Sequence, residues 1–127
     1  MERARHQVGF YAVHPISDAI VSDYGMLDLV NDLRARYKAE GVAAFAHTDD
    51  RLVDLLSISG TPEEARQKLA DYRDHVDHVA LHAPYVPPLT AEDSADAFAN
   101  ILETFAPAPD RPPVPTEESP GATAVPR

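Results

Sequence analysis

Three histidines, His75, His78 and His82, form the pattern H-x2-H-x3-H, the metal-like spacing of this sequence. On a helix their imidazoles would share a face and could hold zinc. On a strand, His78 and His82 lie about 13 Å apart at about 3.3 Å per residue, beyond the reach of one ion with bonds of about 2 Å. The apolar run Val79-Ala80-Leu81 between them reads as a strand, so no shared metal site is expected. His82 ends that run and Tyr85 follows in the next loop. A neutral imidazole at such a place could donate a proton. With no partner carboxylate identifiable, the plainer reading is a rim histidine bonded to a backbone carbonyl. Gly60-Thr61 also offers two readings: the free amides of a helix N-terminus can receive a phosphate, and the same residues open a capping box, which is the preferred account. Ser57 and Ser59 lack a neighbouring base or strained elbow, and no G-x-G-x-x-G phosphate loop is present.

These residues depend on the stretch Ser59 to Ala83 for their placement. Thr61 is a good N-cap, Pro62 suits the first helical position, and Glu64 is placed to reach back to the Thr61 amide. Ala65, Leu69, Tyr72 and Val76 make one apolar stripe, with Glu64 and Lys68 as an i,i+4 pair on the wet side. The pattern then changes to the buried strand expected at 77–82. Elsewhere helices dominate. Glu2 to Val13 fits either a helical stripe through Ala4, Val8 and Tyr11 or an alternating strand, and His14-Pro15 breaks it. A short helix carries Ile16, Ile20 and Tyr24 to a stop at Gly25, and Met26 to Glu40 is a longer one with Leu27, Val30, Leu33 and Tyr37 on one side and Gly41 after it. Val42 to His47 reads as one or two helical turns. Thr48 is expected to cap a helix over Asp50 to Ser59, with a short strand at Leu56 to Ser59 as the alternative. Pro84 to Pro88 reads as an extended loop. Thr90 caps a final helix bearing Phe98, Ile101, Leu102 and Phe105, ended by Pro107.

One strand among several helices leaves its backbone groups unpaired, so the pattern reads as an incomplete unit. The segments GTPEEARQKLADY and VDHVALHAP resemble the closing part of the luciferase-like monooxygenase superfamily. RHQVGFYAVHP, YGM and DDRLVDLLSISGTPEE extend the resemblance over about Arg3 to Pro107. It implies an α/β fold: residues 1–106 as the C-terminal part of a (β/α)8 TIM barrel, about the last third of a typical barrel of about 250 residues. It further implies a flavin- or deazaflavin-dependent oxidoreductase or monooxygenase acting on a small-molecule substrate. FMN or a deazaflavin coenzyme would be the cofactor, and the isolated chain is not expected to bind it. In that setting His82 could position the coenzyme, with Tyr85 beside it and Gly60 and Thr61 on the same rim. Relatives place most coenzyme contacts on earlier strands. Where relatives often have Gly before the Val-Asp of the strand, this sequence has His75, and a positive φ there would reshape the loop.

Composition narrows the field. The 127 residues carry 11 basic against 21 acidic side chains, a net charge of −10 that argues against a nucleic-acid partner. The absence of Cys fits the cytoplasm, and no apolar run approaches the length of a membrane span. Pro107 to Arg127 holds seven of the twelve prolines and no aromatic residue, and is expected to be a disordered tail. Apolar surface left without neighbours would favour association, including homo-oligomers. Two alternatives to an oxidoreductase segment stand beside it: a non-catalytic truncated remnant of that family, and a small acidic helical module that binds a protein partner.

Overall fold

The structure, a computed structural model, describes residues 2–106. The expected tail, Pro107 to Arg127, lies outside them. Helix α1 spans Glu2–Ala12, and a 3-10 turn at Pro15–Ser17 leads into α2, Asp18–Asp23. Helix α3 is Leu27–Glu40 and a 3-10 segment Gly41–His47 follows it. Three further helices complete the order: α4 at Asp50–Leu56, α5 at Pro62–Asp71 and α6 at Ala91–Phe105.

Spacing of small and β-branched residues builds the core. Val8 and Ala12 are four apart on α1 and both are buried, with Ala4 packed against the same cluster; α3 adds Val30 and Leu33, three apart, and the short α4 buries the adjacent Leu52 and Val53. Val21 brings α2 in, while Phe45, fully buried, stacks on Tyr37 at 5.1 Å and meets Phe10 edge-on at 6.2 Å. The α1 segment is therefore the helical of the two readings. Tyr11, expected on its apolar stripe, lies at the edge and is exposed. Gly41, at φ 64°, ends α3.

Several local expectations are corrected. Asp49, not Thr48, caps α4, its carboxylate accepting from the Arg51 amide at 2.9 Å. The Thr48 hydroxyl is buried and donates instead to the Phe45 carbonyl at 2.8 Å, closing the preceding 3-10 segment. Helix α4 stops at Leu56, well short of Gly60, because Ser57 turns extended with its hydroxyl shared between the Val53 carbonyl and the Ser59 hydroxyl. Helix α5 stops at Asp71, so Tyr72 and Val76 leave its stripe and are exposed. Lys68 does not close an ion pair with Glu64; it reaches Asp54 at 2.9 Å and the Ser59 carbonyl at 3.1 Å.

The larger correction concerns the fold class. No strand occurs among the described residues, and the chain does not form the α/β, TIM-barrel fragment implied by the resemblance. Residues 77–82 are irregular, with Val79 42% exposed instead of buried. A strand is defined by a hydrogen-bonded neighbour, and no other segment here supplies one. The loop before it is not reshaped by a positive φ at His75 either, since no described non-glycine residue has one.

The Ser59 to Asp71 region behaves as its residues dictate. The Thr61 hydroxyl accepts from the Glu64 amide at 3.3 Å, and the Glu64 carboxylate accepts from the Thr61 amide at 2.7 Å. That second bond, chiefly, holds the Glu64 carboxyl below its ordinary value of 4.5. Its contribution is therefore complete above the ordinary value and is lost as pH falls through the lower, folded-state one. Replacing Thr61 by Ala should cost about 1 kcal/mol, and the wild-type α5 amides should lose protection from hydrogen exchange on acidification below the ordinary carboxyl value of 4.5. Unchanged exchange in both cases would mean that packing, not the cap, sets the stability of α5.

Candidate functional site

Two positions four apart on α1, Gln7 and Tyr11, reach the segment that follows 77–82. The Gln7 side-chain oxygen accepts from the Tyr85 and Val86 amides at 2.8 and 3.2 Å, and the Tyr11 and Tyr85 hydroxyls lie 2.9 Å apart. Val86 is buried beneath this clamp at 2% exposure. The Tyr11 phenol is raised above its ordinary value of 10.0, mainly by the hydrogen bond to Tyr85 and next by burial. It stays protonated at neutral pH and serves as a hydrogen-bonding group, not as a base. His82 joins from the loop, its ring 5.0 Å from that of Tyr85 and tilted by 57°. Its Nδ1 is paired with the Ala83 carbonyl at 2.5 Å; a carbonyl can only accept, so Nδ1 carries a proton. This is the backbone-bonded histidine of the plainer reading. Tyr85 and His82 are thus brought together, and Tyr11 and Gln7 are the partners sequence reasoning missed. Their spacing on α1 is visible in the sequence, but nothing local ties it to a loop so far along the chain.

Gly60 and Thr61 serve a different end. The Thr61 amide is taken by Glu64, and a Cβ built on Gly60 would stand 2.6 Å from a Glu64 carboxylate oxygen. An anionic side chain already occupies the place where a phosphate would approach. Near the end of α5, Lys68, Asp71, Tyr72 and His75 line a cleft of about 310 Å³ together with Asp54 and Ser57 from the α4 side. Neither His82 nor Tyr85 borders it. His75, His78 and His82 are all exposed, and among the described residues no group of three or more His, Asp or Glu is placed to hold a metal ion.

An FMN or deazaflavin coenzyme needs an enclosed apolar slot with a few converging polar groups and donors for its phosphate. The residues present do not fit that requirement: His82 and Tyr85 are exposed, and the Thr61 amide is spent on a carboxylate. No catalytic step is derived through such a group. The arrangement offers a hydroxyl pair and an imidazole on an open surface, suited to hydrogen bonding with a partner. Comparison of the chain with protein-family models, with curated proteins and with solved structures gave no match. No helix among the described residues is long and apolar enough to cross a membrane.

Proposed function

We propose that the chain is the C-terminal segment of a luciferase-like, flavin- or deazaflavin-dependent oxidoreductase, inactive by itself, whose coenzyme and small-molecule substrate are held mainly by polypeptide outside it. The resemblance of GTPEEARQKLADY and VDHVALHAP motivates the reading. One observation supports it above others. Among the described residues no hydrogen bond engages the backbone from Asp77 to Leu81, and Val76 and Val79 are both 42% exposed. Exposed amides and carbonyls without a protein partner are free to pair with a further segment, and the apolar side chains beside them would be covered by it. His82 and Tyr85 would then line the edge of that contact.

The test is a fluorescence titration of FMN, and separately of a deazaflavin coenzyme, against the chain alone and after mixing with the N-terminal two-thirds of a luciferase-like enzyme. Saturable binding is expected only in the mixture. Micromolar binding by the chain alone would overturn the reading, and a mixture that forms but binds nothing would leave the non-catalytic remnant in its place. A second reading, the acidic helical interaction module, is favoured by the outward-facing apolar side of α6.

A further inference from the structure

Polar contacts tie helix α6 to the rest of the chain, beside the half-buried Ala97, Ile101 and Phe105. Arg3 of α1 pairs with Asp93 at 3.3 Å and with Asp96 at 3.2 Å, the Ser94 hydroxyl donates to the Pro84 carbonyl at 2.8 Å, and Arg66 of α5 donates to the Thr104 carbonyl at 2.8 Å. No residue of α6 is buried. Its apolar ridge runs outward through Ala91, Ala95, Phe98 and Leu102, spaced four, three and four apart, all exposed, with Phe98 at 52% and Leu102 at 56%. An amphipathic helix ordinarily turns its apolar side into the core. Here Ala97, Ile101 and Phe105 are half-buried, and the ridge through Phe98 and Leu102 is left uncovered.

The charge beside that ridge says what kind of surface would cover it. Glu92, Asp96 and Glu103 form the neighbouring ridge, and α6 contains no Lys or Arg. Glu92 and Glu103 are exposed and make no ion pair among the described residues. A second copy would set the same carboxylates against each other, in a chain whose net charge is already −10. We infer that the Phe98–Leu102 face of α6 is a docking surface for a protein partner that presents a cationic amphipathic helix, its apolar side on Phe98 and Leu102 and its Lys or Arg flank along Glu92 and Glu103. Helix-on-helix recognition by apolar anchors at i and i+4, with flanking charge setting orientation, is a recurrent mode. The inference stands on this geometry and is independent of the oxidoreductase reading.

The probe is a fluorescent synthetic peptide with Leu and Lys at amphipathic helical spacing, titrated by anisotropy against the full chain. A scrambled peptide of the same composition and a Leu/Glu counterpart serve as references. Tight, saturable binding of the amphipathic cationic peptide is expected, at least tenfold weaker for the scrambled one and undetectable for the acidic one. The double variant Phe98→Ala/Leu102→Ala and the charge variant Glu92→Gln/Glu103→Gln should each weaken it about tenfold with helix content unchanged. Because the second leaves the apolar ridge intact, it tests the surface even if the first perturbs α6. Equal affinity for amphipathic and scrambled peptides would reduce the effect to net charge and overturn the inference. So would a concentration-dependent dimer in sedimentation that Phe98→Ala/Leu102→Ala abolishes, which would assign the face to a second copy.

Discussion

Phe45→Ala should destabilise the chain by about 3–5 kcal/mol, read as a collapse of the urea unfolding transition followed by circular dichroism. Phe45 is fully buried in the 3-10 segment that bridges α1 and α3. Its ring stacks on Tyr37, with planes 14° apart, and receives Phe10 edge-on. Removing it takes away a partner from both helices at once and leaves a cavity that neither can close without moving the backbone. Domains of this size are stable by only about 5–15 kcal/mol, so a loss in this range leaves little or no cooperative transition. Phe45→Leu, which keeps most of the volume, should retain a measurable transition at lower denaturant. A Phe45→Ala chain that unfolds within about 1 kcal/mol of the parent, far below the cost of emptying a packed aromatic site, would mean that the bridge between α1 and α3 is carried by other residues.

Gly9→Ala should lower stability by about 1–3 kcal/mol, against the sign that helix propensity alone suggests. In mid-helix, Ala is ordinarily better than Gly by about 0.5–1 kcal/mol. At this position a Cβ would overlap the Thr48 hydroxyl oxygen and stand 3.0 Å from a Phe45 ring carbon. Both neighbours are buried and the hydroxyl is committed to the Phe45 carbonyl, so neither can move cheaply. The contact term exceeds the propensity term. Combining Gly9→Ala with Thr48→Ala removes the closest clash, and the pair should cost less than the sum of the single changes; the rescue is partial because the ring carbon stays. Urea melts of the four chains in this cycle provide the check. A Gly9→Ala chain more stable than the parent would show that α1 and the 3-10 segment do not approach as closely as described.

Much of the helix inventory was legible because its signals are local. The capping box at Thr61–Glu64 lies within one turn and forms as its spacing requires, and Thr90 caps α6 as expected, with Asp93 closing a second box that the structure adds. The periodicity of Val30 and Leu33 and the glycine after Glu40 likewise bounded α3. At Thr48-Asp49 the sequence held two residues fit to cap, and the choice fell to Asp49 only because Phe45, buried from both sides, holds its carbonyl against the Thr48 hydroxyl. The apolar run Val79 to Leu81 misled for a related reason. Its composition suits a strand, but pairing is a relation between two segments, and residue types in one of them cannot supply the other.

The candidate site shows the same division. By itself the sequence determined that helices dominate, where α3, α5 and α6 begin to within a residue, that an imidazole and a phenol lie three residues apart at His82 and Tyr85, and that the chain is strongly acidic. Those properties follow from torsional preferences, caps and charge, which act over a few residues or over none. Only the tertiary structure decided that Gln7 and Tyr11 clamp Tyr85, that Lys68 turns from Glu64 to Asp54, and that α6 is held by Arg3 with Phe98 and Leu102 facing outward. Each of these contacts joins residues far apart along the chain. Its formation depends on how α1, α4 and α5 pack and on the order in which distant donors and acceptors are satisfied, a competition that no local stretch of sequence records.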